Sequence, residues 1–216
     1  MYDQDRRELL FFGKTALPVV PIILIVGLCL LSFMRNSLWH RAIPLWQDSV
    51  RKSPGKSRPH MMLGLSYDGA ERFADAESEL LRAIERDGRN VDAANILGMT
   101  YLKQGRVRDA ERMVMQALLI APDYPDALNH LGIVRANQQR YEEAHALFEH
   151  VIGMKPDFAE GYNNRGLVYL LQGNARRAVA EFEQALALDP RSEKFRRNWE
   201  QAQGKLRNSG SLLPEQ

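Results

Sequence analysis

The sequence predicts an all-α solenoid in which one helix–turn–helix unit is stacked four times. The first observation is that four stretches of the chain align at a spacing of 34 residues with no insertion between them. The second is that small and large apolar residues recur at the same positions of each stretch. The third is a proline that closes three of the four. A fixed period of this length indicates units that bury their apolar faces only against their neighbours.

Each repeated position has a role in packing two helices. Glycine lets the first helix of a unit approach the second, alanine lies where they cross, and a large residue fills the remaining space. Proline closes a unit because it cannot continue a helix. Gly105 and Gly173 fall between the two helices, where a left-handed residue is needed. The shared positions hold Gly64, Gly98, Gly132 and Gly166; Ala76, Ala110, Ala144 and Ala178; Leu80, Val114, Phe148 and Phe182; and Gly88, Pro122, Pro156 and Pro190.

Together with Tyr67, Tyr101 and Tyr169, these residues resemble the tetratricopeptide repeat family over about residues 57–192. The resemblance implies a right-handed α-solenoid that binds other proteins and seldom performs chemistry. The implied repeats are residues 57–90, 91–124, 125–158 and 159–192. Three positions depart from the family pattern, namely Arg135, Arg165 and Gly88.

Both ends of the stack are predicted to be covered by a helix. Residues 193–207 read as a capping helix, and residues 208–216 as a loose tail. The apolar positions of the capping helix are Phe195, Trp199, Ala202 and Leu206. In the connector, residues 35–56, one period before the first repeat lie Ala42, Trp46, Ser49 and Pro54. Residues 41–53 are therefore interpreted as a degenerate half-repeat, or alternatively as an amphipathic surface helix that touches lipid headgroups.

The amino-terminal part of the sequence predicts a single membrane anchor. A flank, residues 1–15, precedes an uncharged apolar run at residues 16–34, which is long enough to span a bilayer. A cleaved signal peptide is the alternative, but the run is long for one and no small-residue cleavage site follows it. We expect four residues at the membrane interface, namely Trp39, Trp46, Arg35 and Arg41.

The junction after the apolar run also resembles a group of bacterial multi-spanning membrane proteins, of glycosyltransferase-like type, that end in tetratricopeptide repeats. The matching residues are Arg35, Asn36, Trp39, Leu45, Trp46, Ser53, Pro54, Arg58, Pro59 and His60. This resemblance implies a bacterial inner membrane location with periplasmic repeats, whereas the positive-inside rule weakly favours cytoplasmic repeats. The acidic catalytic loop of that group has no counterpart in this sequence.

Composition argues against several functions. The formal net charge is only +2, which predicts no nucleic-acid partner. The single cysteine cannot form an intramolecular disulfide, and the five histidines lack metal-ligand spacing. With no nucleophile–base set or phosphate loop, we expect no catalysis, no metal and no cofactor.

The predicted binding site is the concave face, which the first helix of each repeat forms in this family. Three asparagines lie in register beside an apolar row, and an acidic residue stands near the helix start in the last three repeats. Asparagine can bond a peptide backbone, while the apolar row can hold side chains of a peptide or helix. The alternatives are that the asparagines are solvated and that the row packs between helices. The candidates are Asn95, Asn129, Asn163, Met99, Ile133, Leu167, Leu102 and Leu170, and the acidic row is Asp92, Asp126 and Glu160.

The sequence therefore predicts a membrane-anchored scaffold that recruits or stabilises a partner protein, with an accessory subunit of a membrane complex as one form of that role. A second hypothesis is the non-catalytic repeat component of a split membrane glycosyltransferase. A third is self-association through the solenoid ends.

Overall fold

The computed structural model describes residues 42–210, which contain ten helices and no strands. Helix α1 covers residues 42–52. The others are α2 (Ser57–Gly69), α3 (Phe73–Arg86), α4 (Val91–Lys103), α5 (Val107–Ile120), α6 (Pro125–Asn137), α7 (Tyr141–Met154), α8 (Ala159–Leu171), α9 (Ala175–Leu188) and α10 (Glu193–Gly210). The prediction of an all-α solenoid is confirmed.

The predicted anchor at residues 16–34 lies outside the described residues, as do Arg35, Trp39 and Arg41. Within residues 42–210, no helix is both long enough and apolar enough to cross a membrane.

The helices alternate between an inner and an outer layer. We call α2, α4, α6 and α8 the A helices, and α3, α5, α7 and α9 the B helices. Each A helix contacts the B helix of its own repeat and also the next A helix. Among the described residues, no B helix contacts another B helix. Because the A helices lie closer together than the B helices, the stack curves with the A helices on its concave side.

Helices A and B of each repeat meet where the A helix has no side chain. A Cβ added to Gly98 would lie 2.6 Å from Val114, and one added to Gly132 would lie 2.6 Å from the Phe148 ring. Val114 and Phe148 are fully buried, so neither can move away. The glycine and the large residue sixteen positions later therefore form one packing unit.

The turn between helices A and B requires a left-handed residue in every repeat. Gly105 and Gly173 have φ of 73° and 77°, as the sequence predicts. The equivalent Glu71 and Gln139 each have φ of 60°. These two residues adopt a conformation that costs about 1 kcal/mol outside glycine, and the surrounding helix pair holds them in it.

Helix α1 covers the front of the stack. Ile43 is buried there, and Trp46 and Val50 pack against the same core cluster. Gln47 Nε2 donates a hydrogen bond of 2.9 Å to Tyr67 Oη on α2. Trp46 thus packs on the solenoid core but stays partly exposed, and its place at the membrane interface remains a prediction.

Helix α10 covers the other end. Phe195 and Ala202 are buried, and Trp199 packs on α9 with its Nε1 donating to Glu183 Oε1 at 3.2 Å. The remaining faces of α10 are exposed and charged. These residues are Glu193, Lys194, Arg196, Arg197, Glu200, Lys205 and Arg207. A polar outer face is what a solenoid end needs in water.

We predict that Gly132→Ala destabilises the protein although alanine is the better helix former. The added methyl overlaps the buried Phe148 ring, so the free energy of unfolding should fall by about 1–3 kcal/mol. The matched control is Gly153→Ala in α7, where an added Cβ meets no atom within 4 Å. This control should gain about 0.5–1 kcal/mol. Urea denaturation of both variants measures the difference, and a stabilised Gly132→Ala protein would contradict the packing argument.

Candidate functional site on the concave face

The three predicted asparagines lie in one row along the A helices and are buried. Asn95, Asn129 and Asn163 are 5 %, 4 % and 0 % exposed. The alternative that they are solvated helix residues is therefore wrong. Each side-chain oxygen instead accepts a hydrogen bond from the following helix of the inner layer, so the row stabilises the concave face from within.

The hydrogen-bond partner stands 35 residues later along the chain in all three cases. His130 Nδ1 donates to Asn95 Oδ1 at 2.7 Å, and Asn164 Nδ2 donates to Asn129 Oδ1 at 2.9 Å. Asn198 Nδ2, on the capping helix, donates to Asn163 Oδ1 at 2.7 Å. A buried amide or imidazole with a good partner fixes the spacing between helices, because an unpaired one is costly.

Four of these side chains form one continuous chain of hydrogen bonds, which we call the asparagine chain. It comprises Asn129, Asn163, Asn164 and Asn198 and crosses α6, α8 and α10. The link within α8 is the 3.1 Å bond from Asn163 Nδ2 to Asn164 Oδ1. The chain therefore connects the capping helix to the third repeat.

The first repeat is joined to the second through charge. Asp68 is buried, and it accepts bonds from Thr100 Oγ1 at 3.0 Å and from Lys103 Nζ at 2.5 Å. Sequence reasoning did not pair these residues. They stand close to one period apart, but Lys103 has no equivalent in the other repeats to draw attention to it.

The predicted apolar row is accessible only in part. Met99, Leu102, Ile133 and Leu167 are half-buried, and all but Met99 also pack against core clusters. Leu170 is only 7 % exposed and belongs to the core. The surface available to a partner is thus the outward edge of the four half-buried side chains, with Asn163 and Leu170 supporting it from behind.

Beside this row lies a recess that sequence reasoning missed. It has a volume of about 270 Å³ and is lined by Ala136, Asn137, Gln139, Tyr141 and Leu171. Leu171 is 62 % exposed although it ends an A helix. An exposed leucine beside a small recess is a place where a partner can bury an apolar side chain. The sequence signal was the pair Leu170 and Leu171, of which only the first fits the helical apolar stripe.

The centre of the asparagine row is polar but carries no charge. Burial, with the nearby charge of Lys103 and against that of Asp126, lowers the pKa of His130 from 6.5 to about 4. The imidazole is therefore neutral near pH 7 and uses its Nδ1 proton for Asn95. At the helix starts, Tyr124 Oη donates to Asp92 Oδ1 at 2.7 Å, and burial together with this carboxylate raises the pKa of Tyr124.

The described residues contain no group of histidine, cysteine, aspartate and glutamate side chains that could hold a metal ion. The concave face offers shape, amide groups and a few charges. Such a surface can bind a peptide or a helix.

The model of the tetratricopeptide repeat family matches residues 61–127, 97–149 and 129–193, so the overlapping matches run through all four helix pairs. The chain belongs to the tetratricopeptide repeat family. In this family the repeats generally mediate protein–protein interactions. No curated protein matches the chain.

Several solved structures have the same tetratricopeptide fold. TTC0263, a thermophilic protein of Thermus thermophilus, aligns with a TM-score of 0.71 over 82 % of this chain and 95 % of its own, at 18 % identity. MamA aligns with a TM-score of 0.57 over 70 % of this chain and 89 % of its own, at 25 % identity. YrrB, a protein with an unusual peptide-binding site, aligns with a TM-score of 0.57 over 81 % and 87 %, at 20 % identity.

We predict that Asn163→Ala lowers the free energy of unfolding by about 2–3 kcal/mol. The substitution leaves Asn198 Nδ2 and Asn164 Oδ1 without their partner inside the inner layer. The matched control is Asn137→Ala, an exposed position of α6 whose side chain bonds only Ile133 O. The control should change stability by less than about 0.5 kcal/mol. Equal effects of the two changes, measured by urea denaturation, would show that the asparagine chain contributes little.

We predict that His130 makes stability fall as the pH drops. The pKa of His130 in the folded protein, about 4, lies below the ordinary 6.5, so the unfolded chain binds more protons between these values. The loss begins near pH 6.5 and should reach about 2 kcal/mol at pH 5. A His130→Gln variant should lose that much less between pH 7 and 5 than the unaltered protein. An equal loss of the free energy of unfolding in the two proteins between pH 7 and 5 would refute this role.

Proposed function

We propose that this protein is a membrane-anchored tetratricopeptide adaptor that holds a segment of a partner protein on its concave face. The observation that carries the proposal is the half-buried apolar row, Met99, Leu102, Ile133 and Leu167, on the inner side of a rigid curve. An apolar strip that the fold leaves partly open can exchange water for a partner's side chains.

The partner is a helix or an extended peptide with apolar side chains at regular spacing. The row would contact those side chains along the groove, and the recess at Leu171 would take one more. The acidic row of Asp92, Asp126 and Glu160 favours basic residues at one border of the partner. The description of YrrB as a peptide-binding protein supports a peptide ligand, because YrrB has the same fold.

The anchor in this proposal is the apolar run at residues 16–34. Its length and lack of charge support one bilayer span, and the junction resemblance supports the bacterial inner membrane with periplasmic repeats. The opposite orientation, with cytoplasmic repeats, is the alternative that the positive-inside rule favours. In either orientation the anchor would keep the groove at the membrane, where an accessory subunit of a membrane complex is needed.

The second candidate is the non-catalytic repeat component of a split membrane glycosyltransferase. The resemblance of the junction residues favours this candidate. Two of those residues are in contact, since His60 Nε2 lies 3.1 Å from the carbonyl oxygen of Pro54. In that case the partner on the concave face would be a multi-spanning membrane protein that carries the catalytic acids.

We predict that photo-crosslinks to the partner form from the concave face and not from the outer face. The probe residue p-benzoylphenylalanine would replace Met99, Ile133 or Leu167 in the full chain, expressed in bacterial cells. Matched controls would place it at Ser78, Arg112 or Ala146, exposed residues on the outer B helices.

The expected result is one dominant crosslinked protein from the concave positions, identified by mass spectrometry. A multi-spanning glycosyltransferase as that protein would favour the second candidate. Crosslinks from the outer positions alone would overturn the groove assignment.

A further inference from the structure

A group of unpaired cations stands at one edge of the first repeat. Arg51, Lys56, Arg58, Arg86 and Arg89 are all exposed. Among the described residues, none of these five has a carboxylate partner within ion-pair distance. Most other arginines of the first two repeats do have one: Arg72, Arg106 and Arg112 each pair with an aspartate. We call the five residues the front edge.

Hydrogen bonds bring four of the five cations to the same side of the fold. Ser57 Oγ, at the start of α2, donates to Ala83 O near the end of α3 at 2.7 Å. Asn90 Nδ2, just before α4, donates to the same Ser57 Oγ at 2.8 Å. Lys56 and Arg58 flank Ser57, and Arg86 and Arg89 lie between the two residues that bond it. These four cations therefore lie around one hydrogen-bonded junction although they come from two separate stretches of the chain.

The front edge is held rigidly by a buried histidine. His60 Nδ1 lies 2.6 Å from Glu79 Oε2 on α3, and His60 Nε2 lies 3.1 Å from Pro54 O in the turn between α1 and α2. Both His60 and Glu79 are buried. This bridge fixes the turn that carries Lys56, and with it the end of α1 that carries Arg51.

Acidic residues near the front edge offset only part of its charge. Asp48 pairs with Lys52 at 2.6 Å, outside the five. Asp87 accepts a bond from the backbone of Arg89, and Asp92 accepts one from Tyr124, while Glu85 is exposed. The later repeats do not carry cations at the positions equivalent to Arg58 and Arg86. Those of Arg58 are Asp92, Asp126 and Glu160, and those of Arg86 are Ile120, Met154 and Leu188.

An apolar side chain accompanies the cations. Leu45 on α1 is 62 % exposed and precedes Arg51, the front-edge cation of the same helix, by six residues, or about 9 Å along the helix axis. A cation and an exposed leucine on one helix suit a lipid interface, where the charge meets headgroup phosphates and the leucine enters the acyl boundary. An acidic protein or a nucleic acid would match the charge, but Leu45 and the position of α1 favour lipid.

We propose that the front edge rests on an anionic lipid surface and so sets the angle of the solenoid at the membrane. This inference builds on the proposed anchor. Residue 42, where the described part of α1 begins, follows residue 34, the last of the apolar run, by eight positions. Eight extended residues reach at most about 28 Å, so the anchor would hold α1 close to the headgroups. The cations then need to touch the headgroups themselves, because exposed charges separated by more than a Debye length of about 8 Å are largely screened.

The test uses the full chain with a fluorescent dye at Gly55→Cys, and Cys29→Ser to make that thiol unique. Gly55 lies in the turn between α1 and α2, where an added side chain meets no atom within 4 Å. The protein is reconstituted into nanodiscs that carry a headgroup quencher, made either of phosphatidylcholine or with roughly one-third phosphatidylglycerol. We expect quenching to be about threefold stronger in anionic discs and to return to the neutral level near 1 M salt.

The decisive variant replaces all five front-edge cations, as Arg51→Gln, Lys56→Gln, Arg58→Gln, Arg86→Gln and Arg89→Gln. Its matched control replaces five exposed cations elsewhere, as Arg108→Gln, Arg176→Gln, Arg191→Gln, Lys205→Gln and Arg207→Gln. The decisive variant should lose the extra quenching, and the control should keep it. Circular dichroism confirms that both variants are folded.

Equal quenching in neutral and anionic discs, or an equal loss in the two variants, would overturn the inference. So would front-edge binding to polyglutamate or to an oligonucleotide with no response to anionic lipid. Failure of the chain to enter neutral discs would instead refute the anchor. In that case a vesicle-binding assay tests the front edge separately. The dye-labelled chain should bind anionic vesicles, and the decisive variant should not.

Discussion

Helix A contacts helix B of the same repeat at a glycine, and the rest of the solenoid depends on that contact. At Gly132 the absent Cβ leaves room for the Phe148 ring, which is fully buried against the bare backbone. The close approach sets the thickness of each repeat, which in turn brings successive A helices into contact. Only at that separation can Asn129 reach Asn164 on the next A helix. The curve and the concave face therefore follow from a missing side chain.

The departure at Arg135 is compensated by the B helix of the preceding repeat, whereas Arg165 pairs with Glu181 on the B helix of its own repeat at 2.9 Å. Where the second repeat has Tyr101, its hydroxyl donates to Glu77 at 2.9 Å, and burial together with this carboxylate raises the pKa of Tyr101 to about 12. Where the third repeat has Arg135 instead, the guanidinium binds Glu111, one period after Glu77. In the fourth repeat, Tyr169 stacks on His145 at 4.3 Å, which occupies the glutamate position. Three different pairs thus fill these two positions, and each keeps the contact between neighbouring repeats.

The sequence was sufficient for the fold because its signals are periodic in residue type. Glycine, alanine and proline recur every 34 residues, and each has one packing role. The concave face was less predictable because its asparagines recur in three repeats, while only two of their partners, Asn164 and Asn198, are of one residue type, and Asn198 lies beyond the four repeats. Matching residue types between repeats does not reveal a position at which the type varies. Exposure is harder still, since Leu170 and Leu171 are adjacent, yet one is buried and the other open.

The two ends and the inner face of the solenoid have different chemistry, which limits how the protein can assemble. Helix α10 exposes charged side chains to the solvent and packs its apolar side chains against α9. A second solenoid docked there would desolvate those charges and bury little apolar surface. Helix α1 already covers the front with Ile43 and Trp46. The described ends of the solenoid therefore offer little apolar surface for end-to-end stacking of copies. The concave face keeps a partly open apolar row on a rigid support, and a partner that fills it incurs little ordering cost on the protein's side.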